Sequence, residues 1–253
     1  MSLARAELLK LRRRRGLVAG AFALTCGPML AALGVLSVMH AGNPAKHGPA
    51  GGLANFAAML DVLTVLAGVA AIMIGATAGA ADVGSGVFRD LVATGRSRTA
   101  LFAARIPGGL ALLLPLVVGA YALAAAGSLL LAGSLPTPGL ATVLRFGGWI
   151  VLTASFSFVL ALGVASVFSS RGVTIGILLG WQLAMAPVLV QIHGLGSLRA
   201  GVDAAALQRI EPDAIATAVG GVPMSALAAA AVLACWAIAA LAAGSWRTAT
   251  RDA

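Results

Sequence analysis

Lysine is almost missing from these 253 residues, occurring only as Lys10 and Lys46. A phosphate-gripping Walker loop requires GxxxxGK followed by Ser or Thr, because the ammonium holds the phosphates and the hydroxyl holds magnesium. Lys10 is followed by Leu11 and Lys46 by His47, so the chain has no such loop. Cysteine is equally scarce: Cys26 and Cys235 each sit in a long apolar run, which excludes a disulfide framework and a CxxC metal pair. Both read as small packing residues. The three histidines, His40, His47 and His193, are far apart and fall in or beside expected loops, a spacing unsuited to metal ligation. Of the eight acids only Asp61 lies well inside an apolar run, so the paired carboxylates of an aspartyl mechanism are missing. No histidine stands within a run to activate a serine. The expectation is a chain with no catalytic residues, no cofactor and no metal of its own.

Charge is also scarce, at 10% of residues, whereas 60% are hydrophobic and mean hydropathy is +1.00. Soluble domains carry roughly 25% charged residues, so the solvent of this chain is lipid. Six apolar runs of spanning length follow one another at 17–39, 56–80, 107–132, 146–168, 173–192 and 222–246. Backbone amides in lipid must be satisfied internally, and the runs are continuously apolar rather than alternating, so each is expected to be a helix and a barrel is excluded. The first run exceeds the core of a cleaved signal and reads as a retained span. The net charge of +9 is clustered, which points to an anionic membrane face and not to nucleic acid. Thirteen of the 17 basic residues fall on one side of the six-span arrangement, which places both termini in the cytoplasm. Trp149 and Trp246 then fall near opposite interfaces.

Three polar segments carry structure of their own. In 1–16, Leu3, Leu8 and Leu11 form an apolar stripe beside Arg5, Lys10 and the run Arg12 to Arg15, as in a helix lying along the cytoplasmic surface. An ordinary basic flank of the first span fits equally. In 81–106, Val87, Phe88, Leu91 and Val92 share a face opposite Arg89 and Asp90, with Gly95 as a stop. A second short helix is expected from Ser97, with Leu101, Phe102 and Ile106 apolar and Arg98 and Arg105 polar, ending near Pro107. Partner docking and simple packing on the membrane surface are both open to this pair. In 193–221, Leu195, Leu198, Val202 and Leu207 recur at roughly helical spacing, with charges that nearly cancel, as in a cap over the outer mouth of the bundle.

Within the spans, Gly172, Gly176, Gly180 and Ala184 make a ladder of small residues four apart, suited to close approach of another helix. Gly16 with Gly20, and Gly75 with Gly79, repeat the spacing. Asp61 costs a few kcal/mol unless it faces an aqueous path or a partner; it either lines a translocation route or reaches the outer interface or the cap. Tyr121 and Gln182, with Trp181, are mid-span polar or aromatic groups, readable as packing residues or as part of such a path.

The stretch Ala6-Glu7-Leu8-Leu9-Lys10-Leu11-Arg12, the stretch from Gly84 to Arg98 (Gly-Ser-Gly-Val-Phe-Arg-Asp-Leu-Val-Ala-Thr-Gly-Arg-Ser-Arg) and the six-span plan resemble the type-2 permeases of ATP-binding-cassette (ABC) exporters. The resemblance implies a single all-α permease domain over 1–253 in the bacterial inner membrane. It implies an amphipathic elbow helix before the first span, a coupling helix between spans two and three, and short outer helices before span six. It also implies two copies of a separate ATPase that carry ATP and Mg, a second permease copy or paralogue as dimer partner, and export of a hydrophobic or amphipathic drug, antibiotic, lipid or peptide. Coupling to the ATPase would then fall to Asp82, Phe88, Arg89, Asp90, Arg96 and Arg98, and dimer contact to the ladder from Gly172 to Ala184. Many members have a glutamate just before the coupling segment; here the nearest acids are Asp82 and Asp90. Two other classes share the spans. A secondary transporter would need intramembrane charge pairs or matched broken helices, and a non-transporting scaffold would lack only the coupling function.

Overall fold

The computed structural model describes residues 3–84, 95, 97–212 and 222–250, and among them all regular structure is helical. Helix α1 (Leu3–Arg13) precedes α2 (Arg15–Gly42), α3 (Leu53–Gly84), α4 (Arg98–Leu130) and α5 (Leu140–Phe168). Then come α6 (Arg171–Gly180), a π turn (Trp181–Met185) and α7 (Ala186–Gln191), which together form the fifth long segment. A 3₁₀ stretch (His193–Gly201), α8 (Asp203–Ile210) and α9 (Ala226–Thr250) complete the order. Six of these segments are long and apolar enough to cross a membrane: Arg15–Gly42, Leu53–Asp82, Arg98–Leu130, Leu140–Phe168, Arg171–Gln191 and Ala226–Thr250. They match the six apolar runs and fit a multi-pass membrane protein.

Helix α3 is the centre of the bundle, and it gets close to α5 because it presents glycine there. A Cβ on Gly75 would stand 2.6 Å from the carbonyl oxygen of Phe158, and one on Gly79 would stand 2.6 Å from Cβ of Ala165. The spacing of four therefore brings the two backbones together, as in other small-residue helix contacts in lipid. Gly163 of α5 does the same toward α9, where Ala240 and Gly244 face it. At the other end of the bundle Phe56 meets Tyr121 and Phe146 edge-on, with ring centroids 6.1 and 6.0 Å away.

The link from α2 to α3 is fastened to the far end of α4: Gly51 N–H donates to Leu131 at 2.8 Å and Gly52 N–H to Ser128 at 2.9 Å. Both positions require glycine. A Cβ on Gly51 would stand 2.5 Å from the Ala132 nitrogen, and Gly52 has φ +92°.

The structure departs from the sequence reading at three points. Ser97 does start a helix, its hydroxyl accepting from Ala100 N–H at 3.2 Å, but that helix does not end near Pro107. It runs on to Leu130 with Pro107 and Pro115 inside it, since the single hydrogen bond lost at a proline does not break a helix held by neighbours in lipid. Trp149, expected at an interface, is buried in the bundle, whereas Trp246 is exposed. The fifth span, expected as one continuous helix, is widened into a π turn just before Pro187, with Ala186 N–H bonded to Trp181 five residues back.

Candidate functional site

Four charged side chains meet where α1, α3 and α4 come together. Arg105 donates from Nη2 to Oδ2 of Asp82 at 2.9 Å and from Nη1 to the Gly79 carbonyl at 3.3 Å. Lys10 Nζ donates to the other carboxylate oxygen, Oδ1, at 2.7 Å and stands 2.6 Å from Oε2 of Glu7. Asp82 is 3% exposed and Arg105 1%. Two acids and two bases cancel, which is the condition for burying charge here. The cations also face the C-terminal end of α3, where unpaired carbonyls and the helix dipole favour positive charge.

Close packing of α1 makes this arrangement possible. Gly108 of α4 lies beneath α1, and a Cβ there would stand 2.6 Å from Cβ of Glu7 and 3.0 Å from the Ala4 carbonyl. Leu11 fills the same face and is fully buried. The four charges thus join α1, the last turns of α3 and the start of α4.

Of the coupling residues named from the sequence, Asp82 is at the centre of this network. Arg98 is elsewhere, donating from Nη1 to the Ala249 carbonyl of α9 at 3.1 Å. Phe88, Arg89, Asp90 and Arg96 lie outside the described residues. Sequence reasoning missed Glu7 and the role of Arg105. The signal for Glu7 was its place midway between Leu3 and Leu11, four residues from each, which puts it on the buried stripe.

The three path candidates do not converge. Asp61 is exposed on α3 and has no ion pair among the described residues; it faces the acid Glu211 instead of a cation. Burial, and next the charge of Asp61, push the Glu211 carboxyl above its ordinary range. Tyr121 donates its hydroxyl to the Val143 carbonyl and packs against Phe56, tying α4 to α5. Gln182, in the π turn, donates to Ser157 Oγ at 3.1 Å beside a cleft between α3, α5 and the fifth span. Over that cleft Trp181 donates to buried Asp203 at 3.0 Å. Burial raises the Asp203 carboxyl, and the indole bond partly offsets this. The ladder is open: a Cβ on Gly172, Gly176 or Gly180 would meet nothing within 4 Å, and Ala184 is exposed.

The chain is thus an all-helical protein with six helices built to cross a membrane and a buried charge network at one end. Comparison with protein-family models and with curated proteins gives no match for it.

Proposed function

We propose that this chain is the membrane subunit of an ATP-driven ABC exporter, working as a dimer with two copies of a separate ATPase that binds ATP and Mg. The observation that carries the reading is the Glu7–Lys10–Asp82–Arg105 network, which fastens α1 and the flanks of the segment at 85–97 into one unit. In this reading α1 is the elbow and the segment around 84–98 is the coupling element. Closure of the ATPase pushes that element, and the network passes the push to α1, α3 and α4 as one unit.

The dimer contact is assigned to the ladder on the fifth span. Gly75, Gly79, Gly163 and Gly244 are all filled by neighbours within the chain, whereas Gly172, Gly176 and Gly180 face open space. The excess of basic residues at the α1 end supports cytoplasmic termini in a bacterial inner membrane. The cargo is a hydrophobic or amphipathic drug, antibiotic, lipid or peptide, and no residue of this chain performs bond chemistry.

The test is purification of the tagged chain from its native membranes in mild detergent, followed by ATPase assay in lipid. An ATPase that co-purifies, and that is released or uncoupled by charge reversal at Arg89, Asp90 and Arg96, supports the exporter. Purification free of any ATPase overturns it. A secondary transporter is then the next reading, because the π turn before Pro187 breaks the fifth span next to a polar cleft.

A further inference from the structure

We infer that the cleft between α3, α5 and the π turn is a binding site for a small neutral molecule that joins an amide group to an apolar body. This goes beyond the exporter reading and does not depend on it, since binding to the isolated chain tests it with no ATPase present.

The cleft measures about 160 Å³, comparable to an engineered apolar cavity of about 150 Å³ that binds benzene. Unlike that cavity it is partly polar. Gln182 is a half-buried hydrogen-bonding group on its lining: one amide N–H goes to Ser157 Oγ at 3.1 Å, and Oε1 has only a long contact with the same hydroxyl at 3.4 Å. The second N–H and most of the capacity of Oε1 stay available, a donor beside an acceptor. Another amide is the complement of that pair.

Gly68 keeps this edge open. A Cβ there would lie 3.8 Å from Oε1 of Gln182 and 3.9 Å from Oγ of Ser157, so the missing side chain leaves room in front of both. Thr153, also on the lining, donates its hydroxyl to the Ile150 carbonyl at 3.1 Å and keeps lone pairs to accept. Trp149 lines the cleft as well, and its buried indole N–H has no acceptor. Polar groups left this way in an apolar surrounding are costly, and an occupant with both donor and acceptor relieves that cost.

Charge narrows the class. Among the described residues no Lys, Arg or His lines the cleft, so an anion finds no counter-charge there. The one charged group on the lining, Asp203, gives one carboxylate oxygen to Trp181, so a cation is the competing class, and the amine analogue below decides between it and the amide. At the rim stand exposed Val65 and Leu183, apolar groups that suit a molecule arriving with an apolar body from the membrane. The π turn itself supports a binding role, since such turns are frequent at functional sites.

The probe is 4-fluorobenzamide, titrated by fluorine NMR against the full chain in nanodiscs, with empty nanodiscs subtracted. Saturable binding to the native chain is expected. Gln182→Leu, which keeps the bulk and removes the amide, should weaken it at least tenfold, and Gly68→Val, which fills the cleft from a position with room for a Cβ, should abolish it. The charged analogues 4-fluorobenzoate and 4-fluorobenzylamine should bind at least tenfold more weakly than the amide. Absence of saturable binding to the native chain overturns the site, as does native-like binding by Gly68→Val. Native-like binding by Gln182→Leu, or tighter binding of the amine than of the amide, overturns the assigned ligand class.

Discussion

Asp82 and Arg105 face each other 2.9 Å apart, one on the last turn of a spanning segment and the other near the start of the next. Their ion pair ties the end of α3 to the start of α4. Lys10 binds the second oxygen of the same carboxylate, which adds α1 to the unit. Each pair of helices could be joined by apolar packing alone. A shared carboxylate ties all three ends to one point.

Removing both partners of this buried pair should cost less than the sum of removing each alone. Asp82→Asn keeps an acceptor oxygen but removes the negative charge between buried Arg105 and Lys10, and a cost of about 3–5 kcal/mol is expected. Arg105→Met should cost less than that, because Lys10 still neutralises Asp82. The double variant should fall at least ~1 kcal/mol short of the summed single effects. Unfolding midpoints in mixed detergent–SDS micelles measure all three, and strict additivity would show that the pair is not coupled.

The glycines of the spans divide into two groups with opposite responses. Gly75→Ala and Gly79→Ala push a Cβ into α5 backbone at 2.6 to 2.7 Å and should each cost about 1–3 kcal/mol. Gly176→Ala meets open space and should leave the isolated chain unchanged or up to about 1 kcal/mol more stable. Thermal unfolding separates the groups. Gly176→Leu should leave the monomer folded yet reduce cross-linked dimer if the ladder is the dimer contact; undiminished cross-linking would remove the contact from that face.

Legibility of the sequence follows from which force decides each feature. The six spans could be read because lipid imposes one requirement on every residue of a run, and continuous apolar stretches meet it only as helices. Ser97 could be read as a cap because the cap is local. The end of that helix could not, because Pro107 is overruled by neighbours absent from any local window. Glu7 and Arg105 carry charge, and charge reads as solvated surface; only the four-residue spacing of Leu3, Glu7 and Leu11 hinted otherwise. Trp149 was misplaced because tryptophan favours both interfaces and cores, and sequence position alone does not separate them. The π turn left Pro187 as its sole trace.

Stability should depend on pH through the segment that precedes the last span. Burial raises the Asp203 and Glu211 carboxyls above their ordinary values, so the folded chain holds these protons more tightly than the unfolded one. The stability these two groups contribute is then greatest below the unfolded carboxylate pKa, near ~4, falls as pH rises through the raised folded values, and is flat above them. Glu211→Gln should remove part of that fall. Asp61→Asn should remove a smaller part, because burial remains after the neighbouring charge is gone. Melting temperatures of the native chain and the Glu211→Gln variant across about pH 4 to 8 test the sign; a variant that loses stability relative to the native chain as pH rises through this window would contradict it.

Docking of α1 rests on Gly108, and limited proteolysis can read it. A side chain there collides with Glu7 Cβ and with the backbone of Ala4 and Leu8, so Gly108→Leu should lift α1 from α4 and draw Lys10 away from Asp82. Proteases cut a local site in proportion to its open population. A docking loss of about 1.4 kcal/mol should therefore speed tryptic cleavage within Arg12 to Arg15 roughly tenfold. Gly16→Ala is the control, since a Cβ at Gly16 meets nothing within 4 Å and its cleavage rate should match the native chain. Equal rates for Gly108→Leu and Gly16→Ala would mean that α1 is held by the arginine run at the membrane surface and not by its seat on α4, and the charge network would lose its role as a mechanical link.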